Sequence, residues 1–92
     1  HAAASATSKA AALSIADLTP GMRGRVYAHI VGCRDRGATR EECAISLGMR
    51  MSTAAARANE LMRLGLVREH GTRPTSSGRM AAVLIATPRE DA

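Results

Sequence analysis

A chain of 92 residues with one aromatic side chain, Tyr27, and no Phe or Trp has few ways to fill an interior. Its core must be assembled from Leu, Ile, Val, Met and many alanines. Side chains this small suit helices packed at close range. They leave little room for a deep ligand cavity, which usually needs about 300 Å³ or more. The length fits one domain. A domain this short buries only about 60–65% of the surface its unfolded chain exposes, so the core is modest.

Charge is the second constraint. The formal net charge is +5, and twelve of the thirteen basic residues are Arg. A guanidinium grips phosphate oxygens and guanine edges bidentately, which an ammonium group cannot do. From Met22 to Arg79 there are eleven Arg against five acids, a net of +6. The flanks carry Lys9 and Arg89 against Asp17, Glu90 and Asp91, a net of −1. The basic character therefore belongs to the folded part. A GC-rich genome would explain Arg in place of Lys, but not the excess over acids.

Cys33 and Cys43 lie in helix-like sequence and read as free, buried thiols of a reducing compartment. No secretory signal or membrane-spanning stretch is visible, so a cytoplasmic protein is expected. His29 and Cys33 stand four apart on one helix, but no second pair accompanies them, and no metal is expected. There is no nucleophile–base pair and no glycine-rich phosphate loop. The expectation is a protein that is not an enzyme and has no cofactor or small-molecule ligand.

Along the chain, residues 1–12 are rich in Ala, Ser and Thr and lack apolar periodicity, which predicts a flexible segment. Leu13, Ile15 and Leu18 can tuck a short stretch against the core. Thr19-Pro20 reads as the start of a first helix, Thr as cap and Pro at the first helical position. Met22, Val26, Ile30 and Cys33 form its stripe, widened by Tyr27 and Val31, and Gly37 stops it. Thr39-Arg40-Glu41-Glu42 is a capping box that opens a short helix bearing Cys43, Ala44, Ile45 and Leu47, closed by Gly48. Ser52 is the candidate cap of a third helix that runs to Leu64, with Gly65 after it. Ala54, Ala58 and Leu61 form its inner face, flanked by Met62 and Ala55. Ser52, Thr53, Ala56, Glu60 and Arg63 form its outer face, with Arg57 at the edge. Leu66 to Arg68 reads as a strand, Glu69 to Arg79 as turn, and Met80 to Ala86 as a second strand. Ala38 is a candidate for a minor third strand. The domain spans residues 13–87, and residues 88–92 form a polar tail.

Two helices joined by a tight turn, the second with a small or polar outer face, make a helix-turn-helix pattern. The stretch Gly37 to Gly48 resembles the second helix of the winged helix-turn-helix superfamily of bacterial and phage DNA-binding proteins. Ser52 to Leu61 is similar to that family's recognition helix, and Leu64-Gly-Leu-Val67 to its exit into the wing. Gly71 to Arg79 resembles the wing, and Met80 to Thr87 its returning strand. The resemblance covers roughly residues 20–87. It implies an α+β, mainly α fold: a three-helix core with a C-terminal wing of two or three strands.

The resemblance also implies binding to double-stranded DNA, most naturally by a transcriptional regulator of a phage or bacterium acting at the nucleoid. Ser52, Thr53 and Ala56 would enter the major groove. Arg57 would fork onto guanine, pair with Glu60 or sit solvated. Arg50 and Arg63 would hold the backbone, and Arg40 is a further DNA-binding candidate. The wing would offer Thr72, Arg73, Thr75, Ser76, Ser77 and Arg79 to phosphates or the minor groove. Glu60 on that face opposes the approach of phosphate. The family also implies a homodimer over two half-sites, although no heptad supports one. The competing reading is a protein-interaction adaptor on the same fold. A continuous basic stripe through Arg50, Arg57, Arg73 and Arg79 favours DNA, and an exposed Met patch favours protein.

Overall fold

A computed structural model describes residues 21–88. The flexible segment over residues 1–12, the apolar trio Leu13, Ile15 and Leu18, the Thr19-Pro20 start and residues 89–92 lie outside the described residues. The fold is α+β and mainly α. Three helices, α1 (Met22–Cys33), α2 (Arg40–Leu47) and α3 (Met51–Arg63), precede an antiparallel hairpin of β1 (Val67–Pro74) and β2 (Met80–Ala86). This arrangement matches a winged helix. Among the described residues no helix is long and apolar enough to cross a membrane.

Val26 and Ile30 are the fully buried residues of α1, with Tyr27 and Cys33 partly covered beside them. Met22 and Val31, expected in that stripe, are exposed. A helix with so few large apolar residues turns only a narrow face inward. After Cys33 the chain tightens into a 3₁₀ turn, Arg34–Arg36, and Gly37 carries it past β2 at φ 66° and ψ −171°. A Cβ on Gly37 would lie 2.5 Å from the Leu84 carbonyl oxygen and 2.6 Å from a Val83 methyl. That close approach lets Ala38 and Leu84 exchange two backbone hydrogen bonds, 3.0 and 2.8 Å. The expected third strand is thus one bridge.

The capping box forms as read. The Glu42 N–H donates to Thr39 Oγ1 at 3.1 Å, and the Thr39 N–H donates to Glu42 Oε1 at 3.2 Å. At the other end of α2 the Gly48 N–H reaches the Ile45 carbonyl and the Met49 N–H reaches the Ala44 carbonyl at 3.0 Å. This is the paired closure of a Schellman motif, with Gly48 left-handed at φ 64°. Arg25 of α1 adds a donor to the Leu47 carbonyl at 2.8 Å. Because α2 is closed within two residues, the chain enters α3 at Met51. Arg50, in extended conformation, is the cap in place of Ser52, and Ser52 lies inside the first turn.

Ala54, Ala58 and Leu61 are fully buried, as the wheel predicts. They pack with Val26, Ile30, Ala38, Cys43, Ala44, Val67 and Leu84 in one cluster. Ile45 departs from expectation. It sits on the far side of α2 and is 72% exposed.

The stretch from Glu69 to Pro74, read as turn, is strand. Glu69 pairs with Leu84 and Thr72 with Ala82, so His70 and Gly71 together oppose Val83 in a bulge. Gly71 supplies the positive φ, 78°, that the bulge requires. Pro74 occupies the last pair of the ladder, where its missing N–H costs little. The turn is confined to Thr75–Arg79 and closed by the Thr75 N–H on the Arg79 carbonyl at 2.7 Å.

Candidate nucleic-acid interface

The outer face of α3 carries Ser52, Ala56, Asn59 and Arg63 at intervals of four, three and four, one stripe of a 3.6-residue helix. Ser52, Asn59 and Arg63 are exposed, and Thr53 and Ala56 are half-buried. Asn59 was missed by sequence reasoning, although its spacing from Ser52 and Arg63 places it on this stripe. Arg50 stands exposed just before the helix. Neither Arg50 nor Arg63 has an acidic partner among the described residues.

Glu60, the acid of this helix, does not stand open to solvent. Arg57 donates to its Oε2 at 2.7 Å, and Arg23 of α1 lies 3.6 Å from its Oε1. Arg57 therefore takes the pairing alternative, one turn away on its own helix. Arg23 is a contributor that spacing could not reveal, because it comes from another element. Arg40 leans across from α2 onto Asn59 Oδ1, at 3.2 Å from Nε and 2.7 Å from Nη2. It links the start of α2 to the outer stripe of α3.

At the hairpin, Thr72, Ser76, Ser77 and Arg79 are exposed and Thr75 is half-buried. The Thr75 and Ser77 hydroxyls lie 3.1 Å apart. Arg73 departs from its expected place on the outer surface. Its Nε and Nη2 fork onto the Glu42 carboxylate at 2.9 and 2.6 Å. Nη1 and Nη2 also donate to the Arg36 and Gly37 carbonyls, each at 3.1 Å. The guanidinium is turned inward because a carboxylate and two carbonyls converge there. Arg73 is a strut between the wing and the start of α2. The continuous basic stripe through Arg50, Arg57, Arg73 and Arg79 is accordingly interrupted at Arg57 and Arg73.

Both acids of the α2 first turn hold the hairpin. Glu41 accepts from the Ser76 N–H at 3.0 Å and from the Ser76 hydroxyl at 2.6 Å. These two bonds, the hydroxyl one first, lower its pKa from the ordinary carboxylate value. Glu42 is lowered chiefly by its hydrogen bonds from Arg73. A carboxylate whose pKa falls on folding adds stability above its unfolded value, near 4.5, and loses it as pH drops through the folded value. Thermal melts from about pH 7 down to about pH 3 should therefore show a loss of stability that begins near pH 4.5. In Glu42→Gln, which keeps a cap acceptor but no charge, that acid dependence should be shallower. An unchanged profile would remove the pair from the acid response.

The thiols lie apart from this surface. Burial pushes the Cys43 thiol up to about 11. Cys33 is half-buried, and its Sγ sits 3.7 Å from His29 Nε2. Among the described residues no three His, Cys, Asp or Glu side chains are placed to share a metal ion.

One apolar feature borders the helix-turn-helix. A groove of about 310 Å³ is lined by Glu41, Ala44, Ile45, Met49 and Met51. Met51 is 50% exposed. Comparison of the chain with protein-family models, curated proteins and solved structures returns no match. The functional reading therefore stands on this geometry and on the winged-helix arrangement.

Proposed function

We propose that this chain is a binding module for double-stranded DNA, with the outer face of α3 in the major groove and the hairpin tip on the neighbouring backbone or minor groove. The observation that carries this reading is the state of Glu60. The acid that would repel phosphate is gripped by Arg57 and Arg23, so the helix presents a small, polar stripe bracketed by Arg50 and Arg63. Ala56 allows close approach to a base edge. Ser52 supplies a hydroxyl, and the Asn59 amide N–H₂ is left as a donor because its Oδ1 is held by Arg40. Arg50 and Arg63 contact the backbone, with Arg79, Ser77 and Thr72 as wing contacts.

With Arg57 held by Glu60, base reading is sparse and phosphate attraction dominates. Weak sequence preference with strong salt dependence follows. A transcriptional regulator's DNA-binding domain is the natural use of such a module.

A titration of labelled random-sequence duplex, followed by fluorescence anisotropy at two salt concentrations, tests the reading. The three arginines placed on phosphates, Arg50, Arg63 and Arg79, give a log–log salt slope of roughly −2.7. Absence of binding at low salt would reject it. The Ile45, Met49 and Met51 groove favours the second reading, a protein-interaction adaptor, for which duplex binding is absent.

A further inference from the structure

We infer that the hairpin tip contains an anion site built on Ser76, and that in the free protein Glu41 occupies it as an internal stand-in for a DNA phosphate. This rests on the DNA-binding reading and adds a self-limiting contact to it. The geometry is that of anion capture. A backbone N–H and a hydroxyl from one residue converge on the two oxygens of one carboxylate, at 3.0 and 2.6 Å. Backbone N–H groups and Ser hydroxyls are donors that proteins direct to phosphate oxygens.

Both partners are at the surface, so solvent and a large polyanion can reach them. Ser76 is exposed, and Glu41 lies on the rim of the apolar groove. The neighbouring Thr75 and Ser77 hydroxyls add further donors at the tip, and Arg79 follows them in the turn. The Glu41 clasp can open without undoing the helix cap or the Arg73 strut. The capping box uses Glu42, the Arg73 strut uses Glu42, and the hydrogen bonds of the Glu41 side chain go to Ser76. A phosphate approaching Ser76 must therefore displace a like-charged group.

The test compares duplex affinity and salt slope for the full chain and for Glu41→Ala. Loss of the carboxylate should tighten binding about eightfold at about 0.1 M salt and steepen the slope by about one, the effect of removing one negative charge from the path of a phosphate. Glu41→Gln should move in the same direction and serves if the Ala variant folds poorly. Glu69→Ala, which removes an exposed acid from the base of the hairpin, measures the general effect of charge and should gain less than about twofold. Ser76→Ala should weaken binding severalfold in the Glu41→Ala background. It should change the parent little, because there the hydroxyl is lost from the clasp and from the phosphate contact alike. Equal gains from Glu41→Ala and Glu69→Ala, or additive effects of Glu41→Ala and Ser76→Ala, would overturn the inference while duplex binding still stood.

A second readout separates it from the DNA reading. In Glu41→Ala titrated with inorganic phosphate, the Ser76 amide resonance should shift, and in the parent it should not. No shift in the variant overturns the anion site. A Ser76 shift in a protein that never binds duplex would retain the site and reject the DNA reading.

Discussion

Gly37→Ala is expected to destabilise the domain by about 3–5 kcal/mol, the sum of a backbone cost and a clash. For a domain of this size that is a fall in melting temperature of roughly 15 °C or more. At φ 66° and ψ −171° Gly37 occupies a region essentially reserved for glycine. The added methyl would also lie 2.5 Å from the Leu84 carbonyl oxygen. That oxygen cannot step aside, because it accepts the Ala38 N–H at 3.0 Å and so holds the bridge between the helical half and the hairpin. Gly48→Ala is the natural comparison. Gly48 is left-handed too, but at ψ 38°, and nothing lies within 4 Å of its Cβ position. Its cost should be only about 1–2 kcal/mol. Thermal or urea melts of the two variants check the contrast, and equal, mild losses would remove the steric argument.

The second large effect is on binding. Arg50→Ala combined with Arg63→Ala should weaken duplex affinity about 60-fold at about 0.1 M salt and make the log–log slope shallower by nearly two. Both side chains are exposed and lack an acidic partner among the described residues, so the melting temperature should hardly move. The loss should be uniform across duplex sequences, because backbone contacts carry no base information. A weakened affinity with an unchanged slope would mean that the two arginines act through something other than phosphate neutralisation.

Several features were legible in the chain because their causes are local or periodic. Thr39 and Glu42 are three residues apart and form the capping box that their spacing predicts. Ala54, Ala58 and Leu61 fall on one side of a 3.6-residue wheel and are fully buried. The pairing of Arg57 with Glu60 was open as an alternative because the two are neighbours on a helix surface. Other features were hidden for equally physical reasons. Ser52 has the chemistry of a cap, but the tight closure at Gly48 starts α3 at Met51 and places Ser52 within the first turn. Gly71 and Pro74 read as punctuation, yet one is absorbed by a bulge and the other by the last pair of a ladder. The contacts that fix the wing join Arg73 to Glu42 and Ser76 to Glu41 across 31 and 35 residues. No spacing rule reaches that far. From sequence alone Arg73 therefore reads as a surface charge.

Glu42 completes the α2 cap with one of its oxygens and grips Arg73 with both. A helix start and a distant strand thus share one side chain. Unwinding the first turn of α2 would loosen the wing, and peeling the wing away would strip the helix start of its charged partner. The two regions should therefore open as a single cooperative unit, with amide protection in the wing above that of a lone two-stranded ribbon of its length.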